Sequence, residues 1–118
     1  MSKVLQLIYP VEPMPAKRIR GGRSGFYNAK DYSDYLKDFA AFLAPHASLF
    51  KNVGVKLTAE FHRSTKRRCD LDNLLKSLMD ALTYSAVIND DSQIWAINTT
   101  KILSSDTPST VFKLEELF

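Results

Sequence analysis

The chain reads as an α+β domain: a mixed sheet of about four strands carrying two main helices, in the order β-α-β-α-β-β. Apolar residues recur at helical spacing in two stretches and at alternate positions in others, and the two kinds of stretch interleave along the chain. With 118 residues, 45% of them hydrophobic and 25% charged, the composition is that of one globular domain spanning 1–118. Such a domain buries roughly two thirds of its unfolded surface. Disordered and collagen-like chains are excluded by the same figures.

The first strand is Val4 to Tyr9, an apolar run that suits burial on both faces. Pro10, Pro13 and Pro15, then Gly21, Gly22 and Gly25, exclude helix and strand from the stretch that follows. From Asp31 to Ala44, Tyr32, Tyr35, Leu36, Phe39, Ala40 and Leu43 keep helical spacing, and Pro45 is the stop. Val53, Val55, Leu57, Ala59 and Phe61 alternate with polar neighbours, the pattern of a strand with one buried face. Leu71, Leu74, Leu75, Leu78, Met79 and Leu82 define the second helix. A third strand over 93–103, a turn through Ser104 to Ser109 and a last strand over 110–117 complete the order. If strands 53–62 and 93–103 are parallel neighbours, the helix between them crosses over right-handed. Phe39, Phe42, Trp95, Leu117 and Phe118 are candidates for a surface that pairs with a second chain, with core packing the preferred reading for each.

Cys69 is the single cysteine, so no disulfide forms within the chain and a reducing, cytoplasmic compartment is expected. No apolar run approaches the roughly 20 residues of a membrane span, and the first ten residues do not form a signal peptide. The net charge is +3, mildly basic, but its distribution is uneven. Lys17, Arg18, Arg20, Arg23 and Lys30 fall in one acid-free stretch, and Arg63, Lys66, Arg67 and Arg68 in another. Each is either a solvated loop or a phosphate-contacting surface, with Phe26 and Tyr27 available to stack on bases.

The acids are more informative. Asp70 and Asp72 stand where the second basic loop becomes a helix, and either suffices as a cap. Residues at i and i+2 lie about 200° apart on a helix, so the two converge only if Asp70 is still extended. Asp72, Lys76 and Asp80 form an i, i+4, i+8 stripe that could be an ordinary solvated face. Asp90 and Asp91 could be a turn. Together, however, the helix start and the third strand's start can bring Asp70, Asp72 and Asp91 to one end of a helix–strand unit. Folding alone does not reward three clustered carboxylates. A hard divalent cation would, and oxygen ligands without His or Cys select Mg²⁺ or Mn²⁺ over zinc.

At these residues the sequence resembles the RusA family of Holliday junction resolvases. The family's Asp-x-Asp-Asn opening a helix reads Asp70-Leu71-Asp72-Asn73 here. Lys76 follows four residues after the second acid, then Asp80-Ala81-Leu82, and Asp90-Asp91 introduces the next strand. Lys101 fits a basic position on that strand, and Pro13 to Arg20 looks like the family's early proline and basic segment. Two departures are Tyr84-Ser85-Ala86, where members often have a glycine, and Cys69 within the basic positions.

The resemblance implies a metal-dependent endodeoxyribonuclease of recombination and repair. It nicks four-way junctions symmetrically as a homodimer, leaving a 5′ phosphate. Asp70, Asp72 and Asp91 would hold Mg²⁺, or Mn²⁺ in its stead, with Asp90 as an accessory position orienting Asp91 or a metal water. Lys76 would be the catalytic cation. Branched DNA would be held by Lys17, Arg18, Arg20, Arg23, Lys66, Arg67, Arg68 and Lys101. The competing readings are a non-catalytic nucleic-acid-binding module and a broader structure-selective nuclease. A phosphoryl-accepting receiver domain is excluded by the order and number of its β-α units.

Overall fold

The computed structural model describes residues 2–16, 29–67 and 69–118. Its elements are β1 (Val4–Tyr9), α1 (Ala29–Leu43), β2 (Val55–His62), α2 (Leu71–Tyr84), β3 (Ile94–Ile102) and β4 (Ser109–Glu116). One-turn 3₁₀ segments, Ala44–His46 and Asp91–Gln93, follow α1 and precede β3. The α+β class and the β-α-β-α-β-β order are as the periodicities predict.

The four strands form one sheet in the order β1-β4-β2-β3. β4 is antiparallel to both β1 and β2, while β3 runs parallel to β2. A parallel pair needs a crossover connection, and α2 supplies it.

Both helices cover one face of the sheet. Leu5 and Tyr9, Leu57 and Phe61, and Phe112 and Leu114 meet Phe39 and Leu43 of α1 and Leu74, Leu78 and Leu82 of α2. Tyr9 stacks on Phe39 with ring centroids 4.1 Å apart. Burial pushes the Tyr35 phenol, beside them, up to about 12.

Two packing expectations are corrected. β1 is an edge strand of a sheet covered on one face, so Val4 and Ile8 are 56% and 59% exposed and the strand is not buried on both faces. Phe39 is fully buried and Phe42 packs against the core, but Trp95, Leu117 and Phe118 are exposed. Val55 pairs with Ile94 and Lys56 with Ala96, so Trp95 is the extra residue of a bulge. Its ring meets Phe118 edge-on at 5.2 Å. Gly54 lies beneath the pair, where a Cβ would stand 2.6 Å from the Phe118 ring and 2.9 Å from Trp95. No helix among the described residues is long and apolar enough to cross a membrane.

Candidate active site

The site is organised along α2. Asp70 is the N-cap residue, with extended backbone (φ −75°, ψ 132°), and its carbonyl accepts from the amides of Asn73 and Leu74. Its side chain makes no capping hydrogen bond. Asp70 is thus extended, as convergence with Asp72 requires, and its carboxylate is not spent on the helix end. Asp72 lies in the first helical turn, at the positive end of the helix dipole.

The approach to Asp70 is braced from β3. Lys101 Nζ donates to the Cys69 carbonyl at 2.5 Å, so this ammonium, expected at DNA, is engaged in holding the loop before the acid pair. Cys69 is buried, and burial pushes its thiol up, which keeps it protonated and unreactive near neutrality. Lys66 and Arg67 of the same loop are exposed. Lys17, Arg18, Arg20, Arg23 and Arg68, the other expected DNA contacts, lie outside the described residues.

Lys76 is one turn beyond Asp72. Its Nζ stands 3.1 Å from Asp80 Oδ1, while Asp80 Oδ2 accepts from the Tyr32 hydroxyl of α1 at 2.8 Å. The stripe read from the sequence is therefore tied to the other helix. No local pattern in the sequence links Tyr32 to Asp80, 48 residues away.

The far end of α2 carries the remaining acids. Asp91 Oδ1 accepts from Thr83 Oγ1 at 3.0 Å. Asp90 caps the 3₁₀ turn, accepting from the Ser92 amide at 3.0 Å, and hydrogen bonds from the Ser92 side chain and amide hold its carboxyl below the usual carboxylate range. Gln93 fastens this turn: Nε2 donates to the carbonyls of Phe50 (2.6 Å) and Val53 (2.9 Å), and Oε1 accepts from the amides of Asn89 and Asp90. Asp80, Thr83, Tyr84, Asp90 and Asp91 line an open depression of about 320 Å³ there.

This geometry separates what the sequence expectation joined. Thr83 is eleven residues along α2 from Asp72, a rise of about 16 Å, so Asp91 and the Asp70–Asp72 pair occupy opposite ends of the helix. Among the described residues no group of three or more His, Cys, Asp or Glu stands close enough to hold a metal ion. The rest of the chain, Met1, 17–28 and Arg68, contains none of those residue types. The reason is the path of 85–93, which returns to β3 from the C-terminal end of α2.

Residues 10–115 match the family described as Endodeoxyribonuclease RusA. A crossover junction endodeoxyribonuclease rusA of Lactococcus phage r1t is 32% identical over 97 residues, with 73% of this chain and 73% of the relative covered. The domain is therefore a nuclease of the endodeoxyribonuclease class. The chain belongs to the RusA family.

Proposed function

We propose that this chain is a Mg²⁺-dependent endonuclease that resolves four-way DNA junctions as a homodimer, with Mn²⁺ able to substitute. The observation that carries the reading is the uncapped Asp70 carboxylate two residues from Asp72, at the start of α2, in a member of the RusA family. Two carboxylates, completed by water and substrate phosphate, suit a hard octahedral cation. The bound cation supplies Lewis acidity at the scissile phosphate and acidifies water.

Asp70 and Asp72 would hold the ion. Asp91 of the same chain is at the other end of α2, so the third carboxylate comes from the partner subunit's Asp91. A two-fold dimer offers two such sites in matching orientation, one for each of the paired nicks that a symmetric junction needs. Lys76, steadied by Asp80, presents a positive charge to the phosphate as charge develops in the transition state. In-line attack of water breaks the bond to the 3′ oxygen and leaves the 5′ phosphate. Lys66, Arg67, Arg68 and the basic residues of 17–23 would take the DNA backbone, which makes binding salt-dependent.

The test is cleavage of a labelled synthetic four-way junction with Mg²⁺ by the native protein and by Asp72→Asn, with a linear duplex of the same sequence as control. Paired nicks by the native protein, restricted to the junction and absent from the variant, are expected. Binding of the junction by both proteins with no cutting by either overturns the catalytic reading in favour of a binding module.

A further inference from the structure

Between Pro10 and Lys30 the chain has a single acid, Glu12, and between Arg63 and Cys69 it has none. A carboxylate inside a basic surface weakens that surface's attraction for phosphate, so its placement asks for a use. Pro10, Pro13 and Pro15 keep helix and strand out of residues 10–16. From this segment Glu12 reaches the second basic loop, 52 residues away. Its Oε2 accepts from the Ser64 amide at 3.2 Å, and its Oε1 accepts from the Ser64 hydroxyl. Arg63 Nε stands 3.8 Å from Oε2.

On its other side the loop is fastened to β3 and the turn after it. Arg63 N donates to the Ile102 carbonyl at 2.8 Å, Ser104 N to the Thr65 carbonyl at 3.2 Å, and Ser105 N to the Arg63 carbonyl at 2.8 Å. The Arg63 side chain is only 12% exposed, and its Nε is buried without a hydrogen-bond acceptor. The Glu12 charge offsets that burial. The same guanidinium faces the residue before Asp70: burial raises the Cys69 thiol pKa, and the Arg63 charge opposes the rise. Beyond the acid pair, Ala16 N donates to the Asn73 carbonyl at 2.9 Å. Residues 10–16 thus brace both flanks of Asp70 and Asp72.

We propose that Glu12 is a positioning residue for DNA: its carboxylate stands within the basic surface to hold the loop that begins at Arg63, so that Lys66 and Arg67 meet the DNA backbone together. This rests on the reading that the loop binds DNA, and adds the group that orders it. The consequence is a reversal of sign. Charge alone requires that removing an acid from a basic surface tighten DNA binding. Loss of the brace requires the opposite, because an unbraced loop loses conformational freedom when it binds.

The test is binding of a labelled four-way junction and of a linear duplex, without divalent metal so that neither is cut, over a series of salt concentrations. The native protein is compared with Glu12→Ala, Glu12→Gln and Asp38→Asn, the last removing an exposed acid from α1. Glu12→Ala should bind about tenfold more weakly. Its salt slope should fall by about 1 to 2, since each phosphate contact contributes roughly 0.9. Glu12→Gln has the same net charge as Glu12→Ala but can still accept from Ser64, so it should recover most of the affinity. Asp38→Asn should bind at least as tightly as the native protein. Thermal unfolding checks that each variant is folded at the measuring temperature. If Glu12→Ala does not fold, Ser64→Ala replaces it. That variant changes no charge, and should weaken binding about threefold and lower the salt slope, which loss of an uncharged contact to DNA would leave intact. The proposal is overturned if the native protein binds neither DNA, if the folded variant binds as tightly as the native protein or keeps its salt slope, or if Glu12→Ala and Glu12→Gln bind alike. Junction cleavage with Mg²⁺, scored separately, keeps the two readings apart. A native protein that cuts junctions while its affinity ignores Glu12→Ala refutes the role of Glu12 alone, and one that cuts nothing while its affinity responds refutes the nuclease reading alone.

Discussion

Tyr32 and Asp80 join the two helices: the phenol of α1 donates at 2.8 Å to a carboxylate in the third turn of α2, whose other oxygen holds Lys76. An exposed i,i+4 ion pair contributes little by itself. Here the acid's orientation is set by a group from another element, so the position of Lys76 depends on helix–helix packing.

Tyr32→Phe removes that bond while keeping the ring. Losing a part-buried hydrogen bond to a carboxylate should cost about 1.5 kcal/mol, read as a lower urea midpoint. Junction cleavage should fall with junction affinity little changed, because the variant loosens Lys76 without removing a basic residue.

Mixing two inactive variants tests the composite site. In a heterodimer of Asp72→Asn and Asp91→Asn, one site receives both substitutions and the other none if Asp91 acts in the partner's site. Mixed subunits should therefore regain single-strand nicking with paired incisions absent. If each chain housed a complete site, both sites would stay damaged and mixing would restore nothing.

Thr83 donates to Asp91, and on the proposed function it is a positioning residue for that carboxylate. Thr83→Val should lower cleavage about tenfold, the usual scale for losing a support of a metal ligand, and shift the Mg²⁺ requirement to higher concentration. Thr83→Ser, which keeps the hydroxyl, should restore both. A purely structural role would instead show as equal destabilisation without a change in metal requirement.

Asp90 predicts a pH effect with a definite sign. The Ser92 side chain and amide hold its folded-state pKa below the unfolded value, so its contribution to stability is present above the unfolded pKa and is lost as pH falls through the folded one. A carbon-detected NMR titration should find Asp90 with a midpoint below the ordinary carboxylate range. Ser92→Ala should raise that midpoint, and an unmoved titration would show that Ser92 is not the cause.

Much of this architecture is legible in the sequence. The leucine spacing of α2 and the alternation of β2 are strong signals because each element buries one face, and Asp70, Asp72 and Lys76 follow from the helix start they flank. What periodicity cannot carry is the element's neighbours. Val4 to Tyr9 has the same apolar run whether it becomes a central strand or an edge, and only the order β1-β4-β2-β3 makes it an edge. The separation of Asp91 from Asp70 and Asp72 within one chain has a similar cause. The acid's position depends on Gln93 reaching back to the carbonyls of Phe50 and Val53, contacts across some forty residues that leave no local trace. Trp95 faces outward because of a bulge, which shifts the alternation by one residue without changing composition.

The place of β4 in the sheet has a consequence for biosynthesis. It follows every other element in the chain yet sits between β1 and β2, so the sheet is incomplete until β4 leaves the ribosome. At ordinary translation rates β1 waits roughly 5–20 s for its only partner. In that interval β2, α2 and β3 can assemble their parallel pair, while β1 and the flank of β2 that β4 will cover stay open. The nascent chain is therefore most exposed to misassociation just before its last strand arrives, and slowed translation through the turn at 103–108 would lengthen that period.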